Sequence, residues 1–155
     1  MYYFKNFLIL FSFQIILEVL DARDPMGCRN KELEAKILGM PGDKKIILVL
    51  NKIDLVPQQI TQKWVTQLRK EFPTILFKAN TQNQQSHLSS NSIFSNSLNN
   101  KEELIGDLLD SSKALGADNL LQLIKNYSRD DKIKHAVSVG LIGYPNVGKS
   151  SVINS

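Results

Sequence analysis

Cysteine is nearly absent from this 155-residue sequence, and its basic residues form no long run. Because Cys28 is alone, no disulfide can form within the chain, which favours a reducing compartment such as the nucleus or cytoplasm. Lys and Arg number 19 against 15 Asp and Glu, so the net charge is +4 and the pI is near 9.2. This excess would permit an RNA partner, but its dispersion predicts an ordinary solvated surface.

A long hydrophobic run is also missing. The most apolar stretch, residues 7–20, is interrupted by three polar residues and is too short to cross a bilayer. Lys5 before it would suit a signal peptide, yet no small-x-small cleavage site follows. We therefore predict no membrane association and a buried strand over residues 14–20, and the role of residues 1–14 stays open.

The rest of the sequence alternates between apolar runs of strand length and amphipathic stretches of helical length. With 43% hydrophobic and 22% charged residues, the chain has enough apolar side chains for a sizeable core. This alternation predicts an α/β fold with a doubly wound, mostly parallel sheet. The predicted strands cover residues 15–20, 45–50, 74–78 and 136–142, and the predicted helices cover residues 31–38 and 57–72, with a third helix capped by Asp118.

Two of these helices should each bury one apolar side. The predicted buried side chains are Ile60, Trp64, Val65 and Leu68 in the helix over residues 57–72, and Leu120, Leu121 and Ile124 in the helix after Asp118.

Residues 81–100 differ from the rest of the sequence. Ser, Asn and Gln fill 14 of these 20 positions, and no Lys, Arg, Asp or Glu is present. Such a segment cannot bury enough apolar area to offset its ordering entropy, so a disordered insertion is predicted. Order is expected to return over residues 101–115.

The most informative stretch is residues 143–150, GYPNVGKS, which matches the phosphate-binding pattern G-x-x-x-x-G-K-[ST]. An apolar run precedes it and a helix can follow it, as the pattern requires. Gly143 and Gly148 allow backbone angles that turn successive N–H groups toward an anion. Lys149 would place its charge on the β- and γ-phosphates of a nucleotide, and the Ser150 hydroxyl would bind Mg²⁺.

A second motif, N-K-x-D at residues 51–54, follows the strand predicted over residues 45–50. Guanine presents two adjacent N–H donors that one carboxylate can accept together, whereas adenine would leave Asp54 unpaired. The stem of Lys52 can lie along the base, and Asn51 can tie neighbouring loops together. Beside a phosphate loop, this motif favours GTP over ATP. The Ala79 N–H, at the end of the next strand, could reach guanine O6.

A rival assignment concerns Asp24-Pro25-Met26-Gly27, which fits the Asp-x-x-Gly pattern of a γ-phosphate sensor. Only 27 residues separate Asp24 from Asn51, which is short for the strand and helices that would have to intervene. We therefore expect the preceding residues 21–23 to close their strand and to hold neighbouring loops.

Three segments together resemble the circularly permuted GTPases of the nucleostemin type. They are residues 17–29 (LEVLDARDPMGCR), 46–57 (IILVLNKIDLVP) and 139–155 (VGLIGYPNVGKSSVINS). In that family the guanine-reading loops come before the phosphate loop, as here, whereas conventional GTPases have the reverse order. Permutation is tolerated because strand ends that are adjacent in space build the site.

The resemblance implies a P-loop GTPase-like, circularly permuted domain that binds GTP and Mg²⁺. The family consists of nucleolar proteins of eukaryotes that act in ribosome assembly, which implies a nuclear or nucleolar location and partners such as pre-ribosomal particles or ribosomal RNA, reached through regions outside these residues. The implied nucleotide-binding residues are Asn51, Lys52, Asp54, Ala79, Asn146, Val147, Gly148, Lys149, Ser150 and Ser151, with Ser150 also a Mg²⁺ ligand.

The 155 residues depart from the family pattern, because no switch threonine and no Asp-x-x-Gly segment follow the phosphate loop. We therefore interpret residues 1–155 as a partial G domain, truncated at its carboxyl end, in which no catalytic residue can be assigned. Two alternatives to a GTPase stay open. One is a module that binds GTP without hydrolysing it, and the other is an ATP-using P-loop enzyme.

Overall fold

A computed structural model describes residues 10–79, 116–130 and 137–155 of the chain. It contains four strands, β1 to β4, and four α-helices, α1 to α4, in these residues. The strands are β1 Ile15–Asp21, β2 Lys45–Asn51, β3 Thr74–Leu76 and β4 Val139–Ile142. The helices are α1 Lys31–Leu38, α2 Gln58–Leu68, α3 Ala117–Asp130 and α4 Lys149–Ile153.

The four strands form one parallel sheet in the order β3-β2-β1-β4. Its register pairs Asp21 at the end of β1 with Asn51 at the end of β2, and it pairs Glu18 with Ile142 at the end of β4. Since all strands run the same way, the loops that follow β1, β2, β3 and β4 leave from the same edge of the sheet. This edge is where parallel α/β sheets bind their ligands.

Helices cover both faces of the sheet, so the predicted doubly wound architecture is confirmed. On one face, strand residues such as Ile16 and Leu48 form a core with Ile37 of α1 and Val65 of α2. On the other face, residues of the opposite parity pack with Leu120 of α3 and with Val152 of α4. Strands β1 and β2 are buried on both sides, which explains why they are mostly apolar rather than alternating.

Helix α2 differs from its prediction at its end and on its buried side. It ends at Leu68, four residues before the predicted Phe72, and residues 69–71 continue as turns up to Phe72, where Pro73 disfavours helical geometry. Its buried positions are Thr61, Val65 and Leu68, spaced by four and three residues. Ile60 is one position off this stripe and is 42% exposed, so its predicted burial is wrong, and Trp64 is only partly buried.

The predicted buried side of helix α3 contains the same kind of error. Leu120 is buried and Ile124 packs against the core, but Leu121 is 53% exposed because it points away from the sheet. Asp118 lies in the first turn of α3 and is not its cap, since the helix already begins at Ala117.

Strands β3 and β4 are shorter than predicted: β3 ends at Leu76 instead of residue 78, and β4 begins at Val139 instead of residue 136. The bounds of α1 match the prediction at both ends, and Asn30 caps its first turn by accepting from the Leu33 N–H at 3.0 Å. The predictions for residues 81–100 and 101–115 fall outside the described residues, as do residues 1–9. Within the described ranges, no helix has the length and apolarity that a bilayer crossing requires.

Candidate nucleotide-binding site

The loop between β4 and α4 has the backbone that its glycines predict. Gly143 has φ +147°, Asn146 has φ +64° and Gly148 has φ +97°, all values that ordinary side chains disfavour. A Cβ atom on Gly143 would lie 2.6 Å from the carbonyl oxygen of Val19 in β1, so the loop starts in close contact with the sheet. The loop therefore needs glycine here both for its angles and for its close approach.

The Lys149 side chain folds back over this loop. Its Nζ donates to the carbonyl oxygens of Gly143 at 2.9 Å and of Tyr144 at 2.7 Å. These bonds fix the ammonium group at the mouth of the loop, where a phosphate oxygen would meet it. The role of Lys149 toward a phosphate stays a prediction.

Asn51 connects three loops at this edge of the sheet: its own loop after β2, the loop after β3 and the phosphate loop. Its buried side-chain Nδ2 donates to the Val147 carbonyl at 2.9 Å, and its Oδ1 accepts from the Ala79 N–H at 3.4 Å. The side-chain amide also lies against Gly148, where an added Cβ would overlap Nδ2. One side chain at the end of β2 therefore holds the phosphate loop and the loop after β3 together, as expected for Asn51.

Lys52 forms a second bridge between the loops. It has a left-handed backbone, with φ 61°, and its Nζ donates to Asp21 Oδ2 at 2.9 Å and to the Asn146 carbonyl. The ammonium therefore lies between the end of β1 and the phosphate loop. The N-K-x-D motif predicts the Lys52 stem beside a base, but it does not indicate a partner at Asp21.

Asp21 is the anionic centre of that bridge. Its carboxylate accepts from Arg23 Nε at 3.0 Å and from Arg23 Nη2 at 2.7 Å, in addition to Lys52. The Arg23 guanidinium, and after it Lys52, hold the pKa of Asp21 well below its usual range, although burial opposes this. This agrees with the structural role expected for residues 21–23.

The remaining predicted residues differ in their exposure. Val147 is buried and anchors the loop in the core, whereas Ser150 and Ser151 are exposed in the first turn of α4. Asp54 lies on the short 3₁₀ turn Ile53–Leu55, is exposed, and accepts no hydrogen bond from the described residues. No group of three or more His, Cys, Asp or Glu side chains in the described ranges could hold a metal by itself.

Asp24 is engaged in its own turn. Its Oδ1 accepts from the Gly27 N–H at 3.0 Å, and its carbonyl accepts from the Cys28 N–H at 3.2 Å. An added Cβ on Gly27 would overlap the Asp24 carboxylate. The Asp-x-x-Gly pattern at these positions is therefore accounted for by a compact turn after β1.

A buried charged cluster behind the site was missed from the sequence. The Arg29 guanidinium bonds to Glu34 and to Glu71 and lies 5.5 Å from the centre of the Phe72 ring. Glu18, in β1, accepts from the Asn30 N–H at 3.0 Å. Burial, with a smaller effect of the neighbouring Glu34, raises the pKa of Glu18 to about 7. The sequence feature that could have indicated this cluster is Glu18, a glutamate within the largely apolar run of β1.

With this geometry in view, comparisons with known proteins identify relatives. The guanine nucleotide-binding protein-like NSN1 of Arabidopsis thaliana is 48% identical over 141 residues, which cover 91% of this chain and 23% of that protein. The guanine nucleotide-binding protein-like 3-like protein of Bos taurus is 44% identical over 154 residues, covering 99% and 26%. The nuclear GTP-binding protein NUG1 of Saccharomyces cerevisiae is 40% identical over 141 residues, covering 91% and 24%.

This chain is a homologue of nucleostemin-type GTP-binding proteins. The resemblance carried by residues 17–29, 46–57 and 139–155 is thereby confirmed. The homologous region is about a quarter of the length of the curated relatives it matches. No protein-family model matches the sequence.

A solved structure supports the fold. The GDP-bound structure of TM YlqF superposes with a TM-score of 0.50 and 21% identity, covering 98% of this chain and 46% of that chain. At this identity the likeness concerns the fold alone. It agrees with the α/β class predicted from the sequence.

Proposed function

We propose that this chain provides the guanine-reading and phosphate-binding loops of a GTP-binding protein that acts in ribosome assembly. The observation that carries the proposal is the Asn51 side chain, which joins the loop after β2 to the phosphate loop through Val147 at 2.9 Å. This bond places the two loops side by side, as binding of one nucleotide by both loops requires. The guanine nucleotide-binding relatives named above support the choice of base.

Each predicted residue has a role in this proposal. Lys149 and the backbone N–H groups of residues 146–151 bind the β- and γ-phosphates, and Asp54 accepts from guanine N1 and N2. The Ala79 N–H exchanges its 3.4 Å bond to Asn51 Oδ1 for a bond to guanine O6. The exposed Ser150 hydroxyl is available to Mg²⁺, which when bound would neutralise phosphate charge. The Lys52 ammonium joins the end of β1 to the phosphate loop, because it donates to the Asp21 carboxylate and to the Asn146 carbonyl.

The proposal extends to location and activity. The name of the yeast relative, a nuclear GTP-binding protein, supports a nuclear location, and we place the protein in the nucleolus with pre-ribosomal particles or ribosomal RNA as partners. The proposed reaction is attack of water on the γ-phosphate, with Lys149 and the loop amides stabilising the developing charge. None of the described residues is assigned to orient that water.

A competition titration tests the choice of nucleotide. GDP and GTP should displace a fluorescent GDP analogue at least about a hundredfold more effectively than ADP and ATP, because adenine leaves the Asp54 carboxylate unpaired. Asp54→Asn should remove most of this preference while thermal unfolding stays unchanged, since Asp54 is exposed. Asp43→Asn, which removes the same charge from a distant turn, is the matched control.

The outcomes separate the alternatives. Equal competition by ATP would exclude guanine reading and support an ATP-using enzyme. Preference for GTP without release of phosphate by a protein that also contains the switch threonine and Asp-x-x-Gly segments would support a binding module that does not hydrolyse its nucleotide. Removing Mg²⁺ with a chelator should weaken GTP binding in the original chain and have less effect in Ser150→Ala.

A further inference from the structure

Glu18 lies directly beneath the start of the phosphate loop. It is opposite Ile142, the last residue of β4, in the sheet register, and Gly143 follows immediately. The neighbouring Val19 carbonyl is the group that Gly143 approaches closely. Glu18 is 1% exposed, so its carboxyl group is enclosed between the sheet, helix α1 and the loop.

Only one oxygen of this carboxyl group has a partner among the described residues. Oε1 accepts from the Asn30 N–H, whereas Oε2 has no hydrogen bond although it is fully buried. Glu18 also lines a cavity of about 230 Å³, together with Leu33 and with residues 142–145. The cavity therefore connects a buried acid to the first residues of the phosphate loop, two of which, Gly143 and Tyr144, hold the Lys149 ammonium through their carbonyls.

Two charged groups act on Glu18. Glu34 of α1 raises its pKa, the Arg29 guanidinium lowers it, and burial has the largest effect and raises it. The Lys149 ammonium donates to the carbonyls of Gly143 and Tyr144, two residues that line the cavity. Glu18 thus changes from neutral to charged close to physiological pH, under a loop that must accept an anion.

We propose that Glu18 is a positioning residue of the phosphate loop, and that its carboxyl group weakens the binding of nucleotide phosphates when it is ionised. This inference rests on the proposed function. A unit charge within about 10 Å of a phosphate group, at an effective dielectric constant of about 20, changes binding roughly tenfold. The neutral acid has no such effect and can donate to the Glu34 carboxylate or to a water in the cavity.

The test compares GDP affinity in the original chain and in Glu18→Gln as pH is varied. The two proteins should bind GDP similarly near pH 5.5, and Glu18→Gln should bind roughly tenfold more tightly near pH 8.5. Protonation of GDP itself cancels in this ratio. Glu32→Gln, which removes an exposed charge from the neighbouring helix α1, is the matched control and should follow the original chain at every pH.

A second measurement needs no substitution. Because coupling is reciprocal, binding of GDP must raise the pKa of Glu18 if the ionised acid opposes binding. NMR of the side-chain carboxyl carbon, titrated with and without GDP, would report this shift directly. It also covers the case in which Glu18→Gln does not fold.

The failures are distinguishable. If GDP binds and the affinity ratio of Glu18→Gln to the original chain is the same at all pH values, or the pKa of Glu18 is unmoved by GDP, this inference is wrong and the proposed function stands. If the original chain binds no GDP at any pH, both proposals are overturned.

Discussion

The side-chain amide of Asn51 donates to the main-chain carbonyl of Val147 at 2.9 Å, which joins segments 96 residues apart in the sequence. Both partners are buried, so removing the amide leaves an unpaired carbonyl without access to water. We expect Asn51→Ala to lower the free energy of unfolding by about 1–3 kcal/mol. It should also increase hydrogen exchange at the amides of the phosphate loop, because their main anchor to β2 is lost.

Chemical denaturation and amide hydrogen exchange would measure the two effects. Asn154→Ala, at an exposed asparagine after α4, is the control and should change the free energy of unfolding by less than about 0.5 kcal/mol. An Asn51→Ala protein as stable as this control would show that the Asn51 side chain does not hold the loops together.

The strands and the two nucleotide-binding motifs could be predicted because each is specified locally. Apolar runs such as residues 45–50 identify buried strands, and the glycine spacing of residues 143–148 identifies a loop with unusual backbone angles. The bounds of α1 were predicted at both ends, whereas the cap predicted at Asp118 was wrong. These features depend on a few consecutive residues, which a sequence displays directly.

What could not be predicted depends on packing between distant segments. Ile60 and Thr61 are adjacent, and only the orientation of α2 against the sheet decides that the threonine is the buried one. The ion pair of Arg29 with Glu71 joins residues 42 positions apart. Likewise the partner of Lys52, the Asp21 carboxylate, becomes evident only when β1 and β2 are paired.

Gly148 offers a second prediction, because two separate reasons require glycine there. Its φ is +97°, and an added Cβ would overlap the Asn51 amide. Gly42 has almost the same angle, φ +94°, but nothing lies within 4 Å of the Cβ position. Gly42→Ala should therefore cost about 1 kcal/mol, from backbone strain alone. Gly148→Ala should cost clearly more and should abolish GDP binding.

Thermal unfolding and GDP titration of both alanine variants would separate strain from contact. Equal losses of stability in the two variants would mean that the Asn51 amide moves away from the added Cβ without lowering the free energy of unfolding. In that case, the close approach of Gly148 to β2 would not explain the need for glycine.

Asp21 gives a prediction about pH. Since Arg23 and Lys52 lower its pKa in the folded state, the carboxylate stabilises the protein above its unfolded pKa of about 3.9, and this contribution is lost as pH falls through the folded value. At neutral pH, Asp21→Asn should lower the free energy of unfolding by about 1–2 kcal/mol, a figure reduced by the exposure of Arg23. The difference in free energy of unfolding between Asp21→Asn and the original chain should become smaller at acidic pH.

Denaturation curves at neutral and acidic pH would measure this difference. The control is Asp43→Asn, which breaks an exposed ion pair with Lys45 and should cost less than about 0.5 kcal/mol at any pH. A difference between Asp21→Asn and the original chain that stays constant down to acidic pH would contradict the assigned pKa direction.

Arg29 gives the largest expected effect on stability. Its side chain is 1% exposed and neutralises Glu34, which is 6% exposed, while Glu71 completes the cluster at the surface. Arg29→Met keeps much of the side-chain volume but leaves the Glu34 carboxylate buried without a cation. We expect the free energy of unfolding to fall by about 3–5 kcal/mol. Lys31→Met, at an exposed lysine 3.8 Å from the same Glu71, should cost little.

The double variant Arg29→Met, Glu34→Gln identifies the cause of that loss. Replacing the carboxylate by a neutral amide removes the unpaired charge, so the double variant should be more stable than Arg29→Met alone. Urea denaturation of the original chain, Arg29→Met, Glu34→Gln and the double variant gives the coupling free energy between positions 29 and 34. If the second substitution recovers nothing, the loss comes from packing of Arg29 on Phe72, since the guanidinium also lies over that ring.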